Sequence, residues 1–167
     1  MNLTQTTALK WTFYALAALL LCFLKRLLLG SVTIWGVLPF LPPVLLAVLA
    51  AFEQPKPAVL AGLVFGVLCD LVLPAPFACL YTLSFTIAAL LIATVMSNLM
   101  QQGFARALFS SVLAFFIVDL FEILAMLTRG ADLSVMLWLF VRETLVSCAL
   151  LLPSYPLLRA VHRLFAD

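Results

Sequence analysis

Apolar runs of about 20 residues follow one another along almost the whole chain, and that feature fixes the solvent in which it folds. A helix crossing the hydrocarbon core of a bilayer takes about 20 predominantly apolar residues. The 167 residues leave room for about six such helices with their turns. Composition agrees: 66% of residues are hydrophobic and 10% are charged, where soluble domains average about 45–50% and about 25%. A soluble domain of this length still leaves roughly 30% of its surface in water, so so large an apolar surplus has no interior to enter. Almost nothing remains for a soluble catalytic or receptor domain. A net charge of +2 is also too small for a nucleic-acid footprint.

Cutting the runs at charges, prolines and glycines gives one integral membrane domain over residues 1–167, with spans at about 9–28, 31–52, 57–73, 78–100, 105–127 and 133–155. Glu53-Gln54-Pro55-Lys56-Pro57 is the clearest loop. Pro74 and Pro76 stop the third span, Gln101-Gln102-Gly103 is a polar break, and Thr128 to Asp132 is a turn. A basic tail carries Arg159, His162 and Arg163. Lipid-exposed backbone must bond within its own segment, so each span is expected to be helical. No alternating pattern supports a barrel. The fold class is therefore an all-α, polytopic bundle of about six transmembrane helices. Residues 11–24 resemble a signal-peptide core, but Lys25 and Arg26 follow without a small-x-small cleavage site, so an uncleaved first span is expected. Six spans put Lys10, Lys56, Arg106, Arg159 and Arg163 on one side and Lys25, Arg26 and Arg129 on the other. Both termini are then cytoplasmic.

Five charges fall inside spans: Asp70, Asp119, Glu122, Arg142 and Glu143. Each costs about 2.5–3.5 kcal/mol at mid-helix, while each Leu, Ile, Val or Phe returns about 0.3–0.6 kcal/mol. The sixth span is close to neutral on its own and needs partners. If spans five and six turn near Gly130, Asp119 and Arg142 both lie roughly 17 Å deep, and Asp119 and Glu122 share a helix face. The expectation is that Arg142 pairs with Asp119 or Glu122. Such a cluster, with Glu143, would fix helix register, meet a partner helix, or relay protons or ions.

In the third span Ala58, Gly62, Gly66 and Asp70 recur every four residues along one face. Small residues let another helix approach closely, either within the chain or from another subunit. Asp70, at the end of the stripe, is placed to cap or hydrogen-bond the neighbouring helix or the turn after it. In the second span Pro39, Pro42 and Pro43 remove backbone donors and are expected to kink or break the helix, leaving a plain kink, a cavity or a partner groove. Trp11, Trp35 and Tyr155 suit an interfacial belt. Cys22, Cys69, Cys79 and Cys148 have no metal or redox spacing and read as packing residues. His162, the single histidine, reads as solvated or facing headgroups. No catalytic set, metal site or cofactor site is expected.

Pro42-Pro43-Val44-Leu45-Leu46, then a short Pro/Lys loop, then Gly62-Leu63-Val64-Phe65-Gly66-Val67-Leu68-Cys69-Asp70-Leu71, and later Val118-Asp119-Leu120, together resemble the rod shape-determining protein MreD family. The family's G-x-x-x-G-x-x-x-D-L signature and its later Asp both have counterparts here. The turn after Asp70 departs from the pattern: the family usually has glycines where this chain has Leu73-Pro74-Ala75-Pro76-Phe77-Ala78-Cys79. The resemblance implies a non-enzymatic scaffold of the bacterial elongation machinery in the cytoplasmic membrane. Its implied partners are MreC, the MreB filament, and RodA with its partner transpeptidase, and its implied role is rod-shape maintenance and lateral peptidoglycan synthesis. The alternative reading, from another class, is the substrate-binding S component of an energy-coupling-factor vitamin transporter, also a small six-helix membrane protein, whose fold would be shared with the first family. That family carries small residues at i and i+4 on its first span, but here Ala15 is followed by Leu19 and Ala17 by Leu21.

Overall fold

The computed structural model describes residues 3–29, 33–74, 77–101 and 103–165; Pro76, Gln102 and the expected start of the second span at residues 31 and 32 lie outside that description. The described residues form helices without a strand. In chain order they are α1 (Leu3–Leu29), α2 (Pro42–Phe52), α3 (Pro55–Val72) and α4 (Leu80–Leu91). The last continues through a π-turn at Ile92–Met96 and a final turn at Ser97–Leu99. Then follow α5 (Phe104–Leu127), α6 (Leu133–Cys148) and α7 (Leu151–Leu164).

Three of these helices, α1, α3 and α5, are long and apolar enough to cross a membrane, and the bent pair α6–α7 makes a fourth if it counts as one span. Their outer faces are apolar: Leu19, Phe23 and Leu27 on α1, Leu71 and Val72 on α3, and Phe116 on α5 are all exposed. So large an exposed apolar surface belongs in lipid, and the chain is an all-helical membrane protein.

The centre of the bundle is α2. It is apolar all round, and every residue from Pro43 to Phe52 is buried, as expected of a helix with no polar face. Val44, Leu45, Val48 and Leu49 join Tyr14 and Leu21 of α1, Phe115 of α5, and Leu151 and Leu158 of α7 in the main core. Leu46 faces Phe85, Ala88, Ile117 and Val118 on the other side.

Two expected spans are corrected. The second is not a helix over 31–52. Residues 38–41 approach without helical structure, and the helix begins at Pro42. Pro42 and Pro43 occupy its first turn, where a missing N–H costs nothing and the fixed φ suits the helix. The prolines therefore start a helix rather than kink one, and Pro39 sits in the non-helical approach. Before it, Ile34 and Val37 exchange backbone hydrogen bonds around Trp35 and Gly36, both at positive φ.

The sixth span is broken at Ala149–Leu150, and its halves α6 and α7 meet at 50°. Pro153 explains the break: it cannot donate to the Ala149 carbonyl four residues back, and its ring crowds that carbonyl. Ala149 and Leu150 instead make tighter bonds to the Val146 and Ser147 carbonyls. The expected basic tail is helical to Leu164, and Tyr155, expected at the interface, is buried between Phe52 and Phe104.

Candidate functional site: polar contacts inside an apolar bundle

The small-residue stripe of α3 faces α4. A Cβ at Gly62 would lie 2.7 Å from the Phe85 carbonyl oxygen and 2.9 Å from the Ala89 Cβ. At Gly66 it would strike the Thr82 Cα and lie 2.7 Å from the Tyr81 carbonyl oxygen. No real Cβ fits either place, so the two backbones meet only because both positions are glycine. Ala58, one turn earlier, is buried against Ala47 and Ala50 of α2, and Ile92 and Ala93 beyond α4. The face is thus filled from within the chain, not left for another subunit.

Asp70 closes this seam. Its Oδ1 accepts from the Tyr81 N–H at 3.0 Å, and its Oδ2 accepts from the Thr82 N–H at 2.8 Å and the Thr82 hydroxyl at 2.6 Å. Cys79, the residue before α4, offers no side-chain cap and sits at φ 63°. The carboxylate of α3 therefore serves as the cap of α4, with the negative charge where the helix dipole favours it.

The expected pairing of Arg142 with Asp119 or Glu122 is not formed. Asp119 Oδ2 accepts from the Thr144 hydroxyl at 3.4 Å, and Glu122 Oε1 accepts from the Tyr81 hydroxyl at 2.8 Å. Glu143 and Glu122 both lie within electrostatic reach of Asp119. Arg142 points elsewhere: its guanidinium covers the Trp138 ring at 4.7 Å and donates to the Trp35 carbonyl oxygen at 3.4 Å. Residues 142 and 144 share a depth but point about 200° apart around the helix. The Phe40 N–H donates to the Ser147 hydroxyl at 2.8 Å. Two polar side chains of α6, Arg142 and Ser147, thus serve the backbone that the non-helical half of span two leaves open.

A second polar group lies at the opposite end of the bundle, where sequence reasoning saw only a loop and a tail. Glu53 Oε1 meets Lys10 Nζ at 2.6 Å, the Tyr14 hydroxyl at 2.9 Å and His162 Nδ1 at 3.3 Å. The His162 ring stacks on Phe52 at 5.2 Å. One carboxylate oxygen ties α1, the α2–α3 turn and α7 together. His162 is accordingly half-buried and partnered, not solvated. Lys10 and Tyr14, at i and i+4 on the first span, were the available sign of a polar patch there.

Among the described residues no group of three or more His, Cys, Asp or Glu side chains is arranged to hold a metal ion. The polar contacts join helix to helix. No family model matches the chain, and neither the curated proteins nor the solved structures searched contain a match to it.

Proposed function

We propose that this chain is a non-enzymatic scaffold subunit of the bacterial cell-elongation complex, similar to MreD, acting in the cytoplasmic membrane. The observation that carries the reading is the α3–α4 clasp. The residues on which the resemblance rests, Gly62, Gly66 and Asp70, form one device: two glycines seat a helix and the acid caps it. A signature with that role marks an architecture rather than a reaction, which suits a protein that works by holding others. The chain then makes six crossings with both termini cytoplasmic, counting α2 with its non-helical approach as one crossing, α4 as one and α6–α7 as one. Its partners are MreC and, through the larger complex, the MreB filament, RodA and its transpeptidase. The fold would be shared with the S components of energy-coupling-factor transporters.

Affinity purification of the tagged chain in mild detergent tests this. Co-recovery of MreC and cell-wall synthases is expected. Co-recovery of paired ATPases, or a vitamin retained at one per chain, would replace the scaffold with a transport component.

A further inference from the structure

The start of α5 gathers positive potential, and among the described residues no anion meets it. Gly103, in the cap position, has no side chain to accept from the first-turn amides, and no acidic residue occupies that turn. The amides of the first turn have no intrahelical partner, and the helix dipole adds partial positive charge there. Arg106, the third residue of α5, is only 6% exposed. Among the described residues it forms no ion pair, and its Nε is buried without a hydrogen-bond partner. Helical side chains lean toward the N-terminus of their helix, so the Arg106 side chain is directed back over the first turn. One turn further in, the Ser110 hydroxyl is also buried and unpartnered.

A second cation lies at the same end of the bundle, on the Phe104 side of α5. Phe104, which opens α5, packs edge-on against Tyr155 at 5.3 Å, and Arg159 covers the Tyr155 ring at 5.6 Å. The start of α5 therefore combines first-turn amides with a buried, unpartnered arginine at the end of a membrane-crossing helix, where lipid headgroups lie. A planar guanidinium together with helix N-terminal amides is a recurrent phosphate-binding arrangement.

We infer that the N-terminus of α5, with Arg106, binds the phosphate of an anionic phospholipid headgroup. The site is independent of the partner reading above, because lipid retention is a property of the isolated chain.

The test uses the full-length protein in detergent micelles, titrated separately with phosphatidylglycerol, phosphatidylcholine and inorganic phosphate. Retained ligand is read by native mass spectrometry. Saturable retention of phosphatidylglycerol is expected, with phosphatidylcholine and inorganic phosphate held at least tenfold more weakly. Arg106→Gln should weaken phosphatidylglycerol retention about tenfold or more, since charge-assisted hydrogen bonds are lost. Gly103→Asp keeps the test decisive if that variant fails to fold. Its backbone is extended, the nearest atom to a Cβ is 4.0 Å away, and an Asp cap supports the helix while placing a carboxylate on the amides. It too should lose the lipid. Arg129→Gln, at the far end of α5, should retain it. Wild-type retention in Gly103→Asp, or equal loss in Arg129→Gln, overturns the site. Inorganic phosphate bound as tightly as phosphatidylglycerol overturns the lipid as its source.

Discussion

Asp70 and Glu53 each accept from several donors on other helices, so removing either acid strands more than one polar group. Asp70 ends a four-residue stripe on one helix face, which directs it to the neighbouring helix or to the turn after it, and the helix is what it caps. Asp70→Ala leaves the Tyr81 and Thr82 amides without an acceptor. At about 1–3 kcal/mol for each buried donor left unsatisfied, a loss of about 2–4 kcal/mol is expected, read as a lower midpoint of thermal unfolding in detergent. An unchanged midpoint would mean that water or another side chain caps α4. Glu53 was hidden in a Pro/Lys loop, and its partners Tyr14 and His162 lie 39 and 109 residues away, a separation that no local pattern bridges. Its side chain is only 8% exposed and that of Lys10 is 19% exposed. The pair should therefore exceed the coupling of about 0.2–1 kcal/mol typical of exposed pairs. A double-mutant cycle with Lys10→Met and Glu53→Gln is expected to give about 1–3 kcal/mol; a value near zero would make the contact incidental. Arg142 failed differently. Counting residues from Gly130 put it at the right depth, but depth says nothing of rotation. In α6 apolar residues surround the helix, so no amphipathic stripe fixed which way residue 142 would point.

Among the elements, the turn near Gly130 was legible, whereas the prolines of the second span read as a kink and Pro153 was passed over. Pro42 and Pro43 mark a helix start when read as first-turn residues, and Pro153 marks the break between α6 and α7; an apolar run scored by length alone passes over both. The closest contact between elements, α3 on α4, was visible in Gly62 and Gly66. It gives a graded expectation. At Gly66 all three nearest atoms to a Cβ belong to the α4 backbone, which must move as a helix. At Gly62 one of them is the Ala89 methyl. Gly66→Ala should thus cost more than Gly62→Ala, with overpacking of about 1–3 kcal/mol for each. Gly66→Leu should separate the hairpin and abolish accumulation of the protein. Unfolding midpoints of the two alanine variants in the same detergent check the order, and a reversed order would place the tighter seam at the Ala89 end.

At the scale of the whole molecule, composition announced the membrane, but the number of crossings rests on two elements that length alone does not qualify. α2 has 11 helical residues, about 16 Å, roughly half of a hydrocarbon core. The rest of its path is the non-helical approach whose backbone is served by Ser147 and Arg142. α4 reaches a workable length only through its π-turn and final turn. Contacts nevertheless order the ends. Lys10, Glu53 and His162 share one end, while Asp70, the start of α4 and Glu122 lie together toward the other. If each path crosses, residue 8 and residue 56 are separated by two passes, and residue 56 and residue 132 by three. Ala8, Lys56 and Asp132 are all exposed, so single cysteines there, in a background lacking Cys22, Cys69, Cys79 and Cys148, report the count. A membrane-impermeant maleimide on intact cells is expected to label Asp132→Cys alone, with Ala8→Cys and Lys56→Cys reacting only after permeabilisation. Labelling of Ala8→Cys without Lys56→Cys would mean that α2 enters and leaves by the same face. Equal labelling of Lys56→Cys and Asp132→Cys would remove α4 as a crossing and with it the six-pass bundle.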